Sequence, residues 1–492
     1  MSVSPVPAGS MASRRRAGRV RFRPPARKSA VRWSRRAEMP LGMGSPGRTH
    51  RPVLSADRLG AVPEGPFAKI RGLIEIVAGA LALSCGFFFA SFDSMEGRAM
   101  ACLVMGLYLL LLLFRPVPLT FWRAFLPVIG PVLLAMAWIA LAPLLAPGAW
   151  LAPDMATGNI VGFHAAVMAL LAGALIGYRH VPVVRLIDIW LIIVALQLGL
   201  SLLMGTGVLA GPFDVPMFRN GRLTGLASNA NIQAVLAGIA LLLTAARVAA
   251  RLRHQRQPWR ALVRNPGIAA QLGLVILCLA VMLYAGSRFP LFVAGLLLAV
   301  LGARALARGG TRGGLLRIAL ITGLVGVISL AGMADVVVRR LGELDVGAAV
   351  RTEMWSRYLA AAWRSPWFGY GPGGFPTLNS MLLPDPLVAE AAWTVNSPHN
   401  ILLQLLLKGG LPYLLFLLAA AAMVAVPVVR HFSGGRRSLE AWGIALALVF
   451  LFANGMIDIC LDVPATTCFA MFLAGVLWGT ARPVPVVGVS KP

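Results

Sequence analysis

Seven polar residues in a strongly apolar sequence have side chains suited to phosphate binding and proton transfer. They are Arg222, Asn231, Arg288, Arg351, Arg357, His399 and Asn400. A guanidinium group binds phosphate oxygens through two parallel hydrogen bonds and stays charged at physiological pH. Several arginines that face one compartment at a membrane surface therefore suit a lipid-linked pyrophosphate. An imidazole titrates near neutral pH, so His399 is a candidate general base.

His399 belongs to the stretch "NSPHNILLQLLLKGG", which runs from Asn396 to Gly410. The polar cluster directly precedes an apolar run, which makes a histidine that caps the following helix the structural alternative to a base. The arginines elsewhere in the chain favour the base. The pattern gives no role to Lys408, which lies inside the apolar run just before a Gly-Gly pair.

The composition indicates a chain that lies mostly within a lipid bilayer. It is 58% hydrophobic and only 13% charged, whereas soluble domains carry about 25% charged residues. Apolar runs long enough to cross a bilayer recur along the chain. We predict an all-α polytopic membrane protein with about twelve spans, near 70–91, 99–114, 121–142, 159–178, 182–204, 230–250, 267–285, 289–307, 315–334, 400–428, 440–460 and 464–481.

The distribution of charge predicts the orientation of these spans. The net charge of +27 is concentrated in the N-terminal segment and in alternate short loops, among them "RPVPLTFWR" and "VRHFSGGRRS". Cytoplasmic loops carry an excess of lysine and arginine, so both termini are expected in the cytoplasm. This distribution also disfavours a nucleic-acid partner. Residues 1–68 read as a disordered basic tail (Met39 and Met43 are alternative starts), 69–482 as the transmembrane domain and 483–492 as a short cytoplasmic tail.

The longest segment on the opposite, outer side spans residues 335–398. Within it, "AAVRTEMWSRYLAAAWRSPWFG" carries apolar residues at helical spacing and predicts an amphipathic helix on the outer surface. The following "SPWFGYGPGGFP" predicts a turn with exposed backbone. The five cysteines fall in or beside apolar runs without metal-ligand spacing. We expect no metal site and no cofactor.

Four stretches resemble the O-antigen ligase and O-antigen polymerase superfamily of bacterial inner-membrane proteins. They are "RLTGLASNANIQA", "GSRFPLFVAGLLLAV", "VRTEMWSRYLAAAWRSPWFGYGPGGF" and "SPHNILLQLLLKGGLPYLLF". The third and fourth are the most specific, because an Arg- and Trp-containing helix leads into P-x-F-G-x-G and His-Asn then opens a span. The resemblance covers roughly residues 200–430. Members often have an acidic residue where Lys408 stands.

The resemblance implies a metal-independent glycosyltransferase of the GT-C type, which takes a glycan from undecaprenyl pyrophosphate at the periplasmic face. Arg288 and Arg351 would hold the pyrophosphate, and Arg222 would contribute to that site or shape it. His399 would be the base or would position the acceptor. The acceptor hydroxyl would belong to lipid A–core, a growing polysaccharide or a protein. A transporter of lipid-linked glycan is the competing class, which the concentration of charge at one face disfavours.

Overall fold

The structure, a computed structural model, describes residues 66–88, 94–209, 217–254, 264–307, 344–383, 395–434 and 437–482. The predictions for residues 1–65, for the span at 315–334 and for the tail at 483–492 lie outside the described residues. The first described helix begins at Pro66, inside the segment that the sequence assigned to the basic tail.

The described residues form thirteen α-helices and one short hairpin. The helices are α1 Pro66–Phe88, α2 Met95–Leu113, α3 Leu119–Leu145, α4 Pro153–Tyr178, α5 Val183–Gly205, α6 Ala230–His254, α7 Pro266–Tyr284, α8 Arg288–Ala307, α9 Leu344–Arg364, α10 Phe375–Met381, α11 Ile401–Ser433, α12 Leu439–Gly455 and α13 Pro464–Thr480. The hairpin between α5 and α6 pairs β1 Phe218–Arg219 with β2 Arg222–Leu223.

The all-α polytopic fold is confirmed. Among the described residues, nine helices are long and apolar enough to cross a membrane, namely α1 to α8 and α11. The shorter apolar helices α12 and α13 coincide with the last two predicted spans. Eleven of the twelve predicted spans thus match apolar helices, and the remaining one, at 315–334, lies outside the described residues.

Helix α6 forms the centre of the bundle. In its most apolar window 89% of the residues are buried, against 17% for α11. Close packing elsewhere uses small residues, as between α4 and α13. A Cβ at Gly173 would collide with the carbonyl of Phe472, and one at Gly475 would collide with that of Leu170. Such close approach of two backbones is how helices associate where lipid removes the hydrophobic driving force.

The predicted amphipathic helix is present as α9. Its apolar face buries Met354, Tyr358 and Ala361, and it packs against Phe375 of α10 and Leu407 of α11. This face therefore contacts protein. As a result, α9 and α10 form a small layer that lies against the beginning of α11.

Candidate functional site

Five segments meet at one end of the helix bundle and bring several of the predicted residues together. They are the β1–β2 hairpin, the beginning of α6, the turn between α7 and α8, the beginning of α11, and the loop between α12 and α13. Hydrogen bonds and ion pairs between side chains connect them, and each is described below. These contacts place all five segments at the same end of the bundle, the end that the sequence predicts to be the outer one.

His399 faces a carboxylate. Its Nδ1 lies 3.4 Å from Oδ1 of Asp458, in the loop between α12 and α13. The side chains of His399 and Asp458 are 27% and 12% exposed, so the pair is largely screened from solvent. The position of Asp458 is fixed locally, because its Oδ1 also accepts the backbone N–H of Ile459 at 2.7 Å.

The backbone around His399 explains how its ring is directed. His399 has a φ of 54°, in the left-handed region that few residues other than glycine adopt. Asn400 then caps α11, since its side-chain oxygen accepts the N–H of Leu403 at 3.0 Å. The amide nitrogen of Asn400 donates to the carbonyl of Met456 at 3.2 Å. The beginning of α11 is thereby tied to the loop that carries Asp458.

Asn231 links three of the segments. Its Nδ2 donates to Oδ2 of Asp458, and its Oδ1 accepts from Nη2 of Arg222 and, at 3.1 Å, from the hydroxyl of Ser287. The amide uses both its donor and its acceptor side, so its orientation is determined by these partners. The sequence predicted Arg222, Asn231 and His399 as site residues, and the structure joins them through Asp458.

Arg222 is presented by a tight hairpin. Asn220 and Gly221 form its two-residue turn with φ of 51° and 69°, the combination for which an Asn-Gly pair is preferred. The Nε of Arg222 donates to the carbonyl of Ala285 at 2.8 Å. Arg222 therefore holds the turn between α7 and α8 in place.

Arg288 begins α8, directly after Ser287. Its side chain is half-buried, and no hydrogen bond or ion pair joins it to another of the described residues. The positions of Ser287 and Arg222 place the first turn of α8 beside the Asn231–Asp458 cluster. The free backbone N–H groups at the beginning of a helix, together with an arginine there, favour a bound anion.

The other predicted arginines lie on α9. Trp355 donates from Nε1 to the carbonyl of Pro398 at 2.8 Å, which joins α9 to the residue before His399. Arg351 lies four residues before Trp355, and its side chain is outside the described part of the chain. Arg357 instead contacts Glu353 at 2.8 Å and the carbonyl of Leu382 at 3.1 Å, so it connects α9 to the end of α10.

The turn that follows α9 is inserted into a break in α11. Gly410 has non-helical angles, with φ of 72°, and divides α11 into two segments. Leu411 N–H donates to the carbonyl of Pro366, and Tyr370 N–H donates to that of Leu407, both at 2.7 Å. The prediction of exposed backbone in this turn is wrong, because the break in α11 supplies partners for it.

Lys408 has a partner that the sequence did not predict. Its ammonium group lies 3.0 Å from Oδ1 of Asp462, and the two side chains are 18% and 13% exposed. Burial by itself would raise the pKa of the Asp462 carboxyl. The charge and hydrogen bond of Lys408, together with the charge of Arg98 and a hydrogen bond from Gln404, outweigh that effect and lower the pKa below its usual value.

From the sequence, Asp458 and Asp462 are carboxylates at the outer end of a late span whose expected role is to pair with an arginine or to orient His399, with no place fixed for either. Sequence reasoning missed Ser287 and the pairing of Asp462 with Lys408. The sequence contains one signal for the pairing of Asp462 with Lys408. Asn400, Gln404 and Lys408 recur every fourth residue on an otherwise apolar helix, which marks a polar face in need of partners. No three His, Cys, Asp or Glu side chains within the described ranges form a group that could hold a metal ion.

A comparison with protein families adds independent evidence. Residues 272–418 match the family model described as O-antigen ligase. The matched segment runs from α7 to the second segment of α11 and includes Arg288, Arg351 and His399. No curated protein matches the chain. The family implies a glycosyltransferase-type enzyme in a multi-pass membrane protein, and the match over this segment supports an assignment to the O-antigen ligase and polymerase superfamily.

Proposed function

We propose that the protein transfers a glycan from undecaprenyl pyrophosphate to an acceptor hydroxyl of lipid A–core or of a growing polysaccharide. The observation that carries the proposal is the pairing of His399 with Asp458, next to Ser287, where the turn between α7 and α8 ends, and Arg288, where α8 begins. This combines a candidate base with a candidate phosphate site. The membrane fold and the family match support a lipid-linked sugar donor.

His399 acts as the general base in this proposal. A carboxylate opposite Nδ1 favours the tautomer that carries its proton on Nδ1, because only that nitrogen faces Asp458. The lone pair of Nε2 then remains available for the acceptor hydroxyl. The imidazolium that forms is stabilised by the same carboxylate. General-base assistance of this kind contributes about 10²–10⁴-fold in rate.

The pyrophosphate binds at Arg288 and the first turn of α8, with Arg351 contributing from α9. Arg222 shapes this site, since its contacts fix the turn before Arg288. Asn231 and Asn400 support the same arrangement through Asp458 and Met456. Arg357 contributes indirectly by holding α9 against α10.

The proposed reaction is a single displacement at the anomeric carbon of the donor sugar. The acceptor hydroxyl loses its proton to Nε2 of His399, and its oxygen forms the new glycosidic bond. The bond between the anomeric carbon and the pyrophosphate oxygen breaks, and undecaprenyl pyrophosphate leaves with the electron pair. Arginines stabilise the charge that develops on the leaving group, so the proposed reaction, of the GT-C type, is metal-independent.

The positive-inside rule supports an orientation in the bacterial inner membrane. The described residues at the other end of the bundle include Arg115, Arg123, Arg179, Arg251 and Arg437. We propose that this end faces the cytoplasm and that the site faces the periplasm. Both termini are then cytoplasmic.

The test is a deletion strain complemented with single variants. His399→Ala and Arg288→Ala should abolish glycan transfer while the protein still inserts at normal levels. Arg288→Lys should also transfer poorly, because an ammonium group cannot bind phosphate in a bidentate manner. Gels of lipopolysaccharide and exopolysaccharide provide the measurement, and the glycan that disappears identifies the acceptor.

Arg219→Ala and His180→Ala are matched controls. Arg219 is exposed on the same hairpin as Arg222, and His180 is exposed at the opposite end of the bundle. Both should transfer normally. Wild-type transfer by His399→Ala would refute the role of His399 as the general base. Wild-type transfer by Arg288→Ala would refute the role of Arg288 in binding the pyrophosphate.

A further inference from the structure

The first segment of α11 has a polar face of which the reaction described above uses only Asn400. Asn400, Gln404 and Lys408 follow one another at intervals of four residues, so they lie on one side of the helix. All three contact the loop between α12 and α13. Asn400 donates to Met456, Gln404 hydrogen bonds with Asp462, and Lys408 forms its ion pair with Asp462.

The same loop carries Asp458, four residues before Asp462. The polar face and the loop therefore run side by side. The His399–Asp458 pair and the Asn400–Met456 bond lie at one end, and the Lys408–Asp462 pair lies at the other. Displacement at either end is transmitted to the other, because one short helix segment and one short loop carry both.

The break at Gly410 makes this second connection necessary. The segment from Ile401 to Gly409 is too short to be a stable helix by itself. It also cannot be directed by the rest of α11, since the helical hydrogen bonds are interrupted at Gly410. Contacts with its surroundings must therefore set its direction, and the Lys408–Asp462 pair is its charged contact with the loop.

The geometry of the His399–Asp458 pair is sensitive to such a contact. At 3.4 Å, the Nδ1 to Oδ1 distance lies just beyond the range of about 2.7–3.2 Å for a hydrogen bond from nitrogen to oxygen. A small displacement decides whether the bond forms. Misplacement of a catalytic group by about 1 Å can lower a rate by about 10²-fold.

We infer that Lys408 and Asp462 are positioning residues, which hold the first segment of α11 on the loop so that Asp458 orients His399. The inference rests on the proposed function, because it assigns a role in the same transfer reaction. Neither residue touches the substrates in this role. Arg98 of α2 also stabilises the Asp462 carboxylate, so the loss of Lys408 leaves the buried carboxylate with a cationic neighbour.

Kinetics of the purified full-length protein in lipid nanodiscs test the inference. The donor is an undecaprenyl-pyrophosphate-linked glycan, and the acceptor is lipopolysaccharide that lacks O-antigen. Lys408→Met removes the charge but keeps an unbranched chain. We expect kcat to fall about 10²-fold, with the donor KM changed less than about twofold because the phosphate site is untouched. Lys408→Arg should restore most of the rate.

A double-mutant cycle separates positioning from a general structural role. In an Asp458→Asn background, Lys408→Met should cause little further loss, because the pair that it positions is already broken. If the Lys408→Met protein does not accumulate, Asp462→Asn takes its place in the cycle. We expect Asp462→Asn to lower kcat by a smaller factor, and to cause no such loss in the Asp458→Asn background. Lys69→Met, an exposed lysine on α1, is the control and should have wild-type kinetics.

Two outcomes overturn the inference. One is an equal loss of rate from Lys408→Met in the wild-type and Asp458→Asn backgrounds, and the other is a wild-type kcat. His399→Ala, assayed in parallel, distinguishes failure of the positioning role from failure of the proposed function. If it is inactive while Lys408→Met is normal, only the positioning role fails, whereas normal transfer by His399→Ala refutes the proposed function itself.

Discussion

At the residue scale, the backbone of His399 permits a direct test of the base. Its φ of 54° suits glycine, so His399→Gly should remove the imidazole without straining the chain. We expect transfer to be lost and then partly restored by millimolar imidazole, which can occupy the vacated space and accept the proton. The measurement is the rate of transfer as a function of imidazole concentration.

His180 provides the matched control for this rescue. It also has a positive φ, 51°, but it lies at the other end of the bundle. His180→Gly should transfer normally with or without imidazole. If imidazole does not restore His399→Gly while that protein remains folded, His399 orients the acceptor and does not accept its proton.

Residue types alone placed His399, Arg222 and Asn231 at one predicted face, because an imidazole, a guanidinium and an amide there suggested shared chemistry, and in the structure the three are joined by contacts. They did not predict Asp458 as the link between them. Asp458 is 59 residues from His399 and 227 from Asn231, and only the packing of α12 against α6 brings it close. Contacts of such long range leave no local pattern in one sequence.

At the scale of the elements, the break in α11 depends on one glycine, Gly410. A Cβ at Gly410 would collide with the carbonyl of Trp367, and its φ of 72° disfavours any other residue. Gly410→Ala should therefore expel the turn after α9 from the break. With ψ of −171°, this backbone lies in a region that essentially only glycine adopts, and it costs any other residue about 1–3 kcal/mol. We expect a lower Tm in detergent and weaker transfer.

Gly199→Ala is the control for Gly410→Ala, because a Cβ at Gly199 on α5 meets no atom within 4 Å. It should leave the Tm unchanged or raise it slightly, since alanine is the better helix former. An unchanged Tm in Gly410→Ala would show that the break does not hold the turn.

The elements also show where a pattern in the sequence stops being informative. Eleven spans were predicted because each apolar run of this length has one stable conformation in lipid, a helix. The break in α11 was not predicted, since the apolar run continues through Gly409, Gly410 and Pro412. The cause of the break is tertiary, because the indole N–H of Trp138 and the turn after α9 bind the groups that the helix leaves unpaired.

At the scale of the whole molecule, charged side chains have different roles at the two ends of the bundle. At the end opposite the site, Arg247 of α6 binds Asp188 of α5 at 2.7 Å and lies 3.5 Å from Glu440 of α12. These pairs connect helices, and the surrounding arginines are those that the positive-inside rule expects in the cytoplasm. At the site end, Asp458 and Asp462 face His399 and Lys408.

Cysteine labelling determines which end faces the periplasm. In a variant with the five native cysteines replaced by alanine, a membrane-impermeant maleimide should label Arg219→Cys in intact spheroplasts. It should label Arg115→Cys only after the membrane is permeabilised. Both residues are exposed, so local burial does not explain a difference between them. The reverse pattern would place the His399–Asp458 pair at the cytoplasmic side of the membrane. Transfer in the periplasm would then be excluded, because the base would lie on the other side of the membrane from a periplasmic glycan donor.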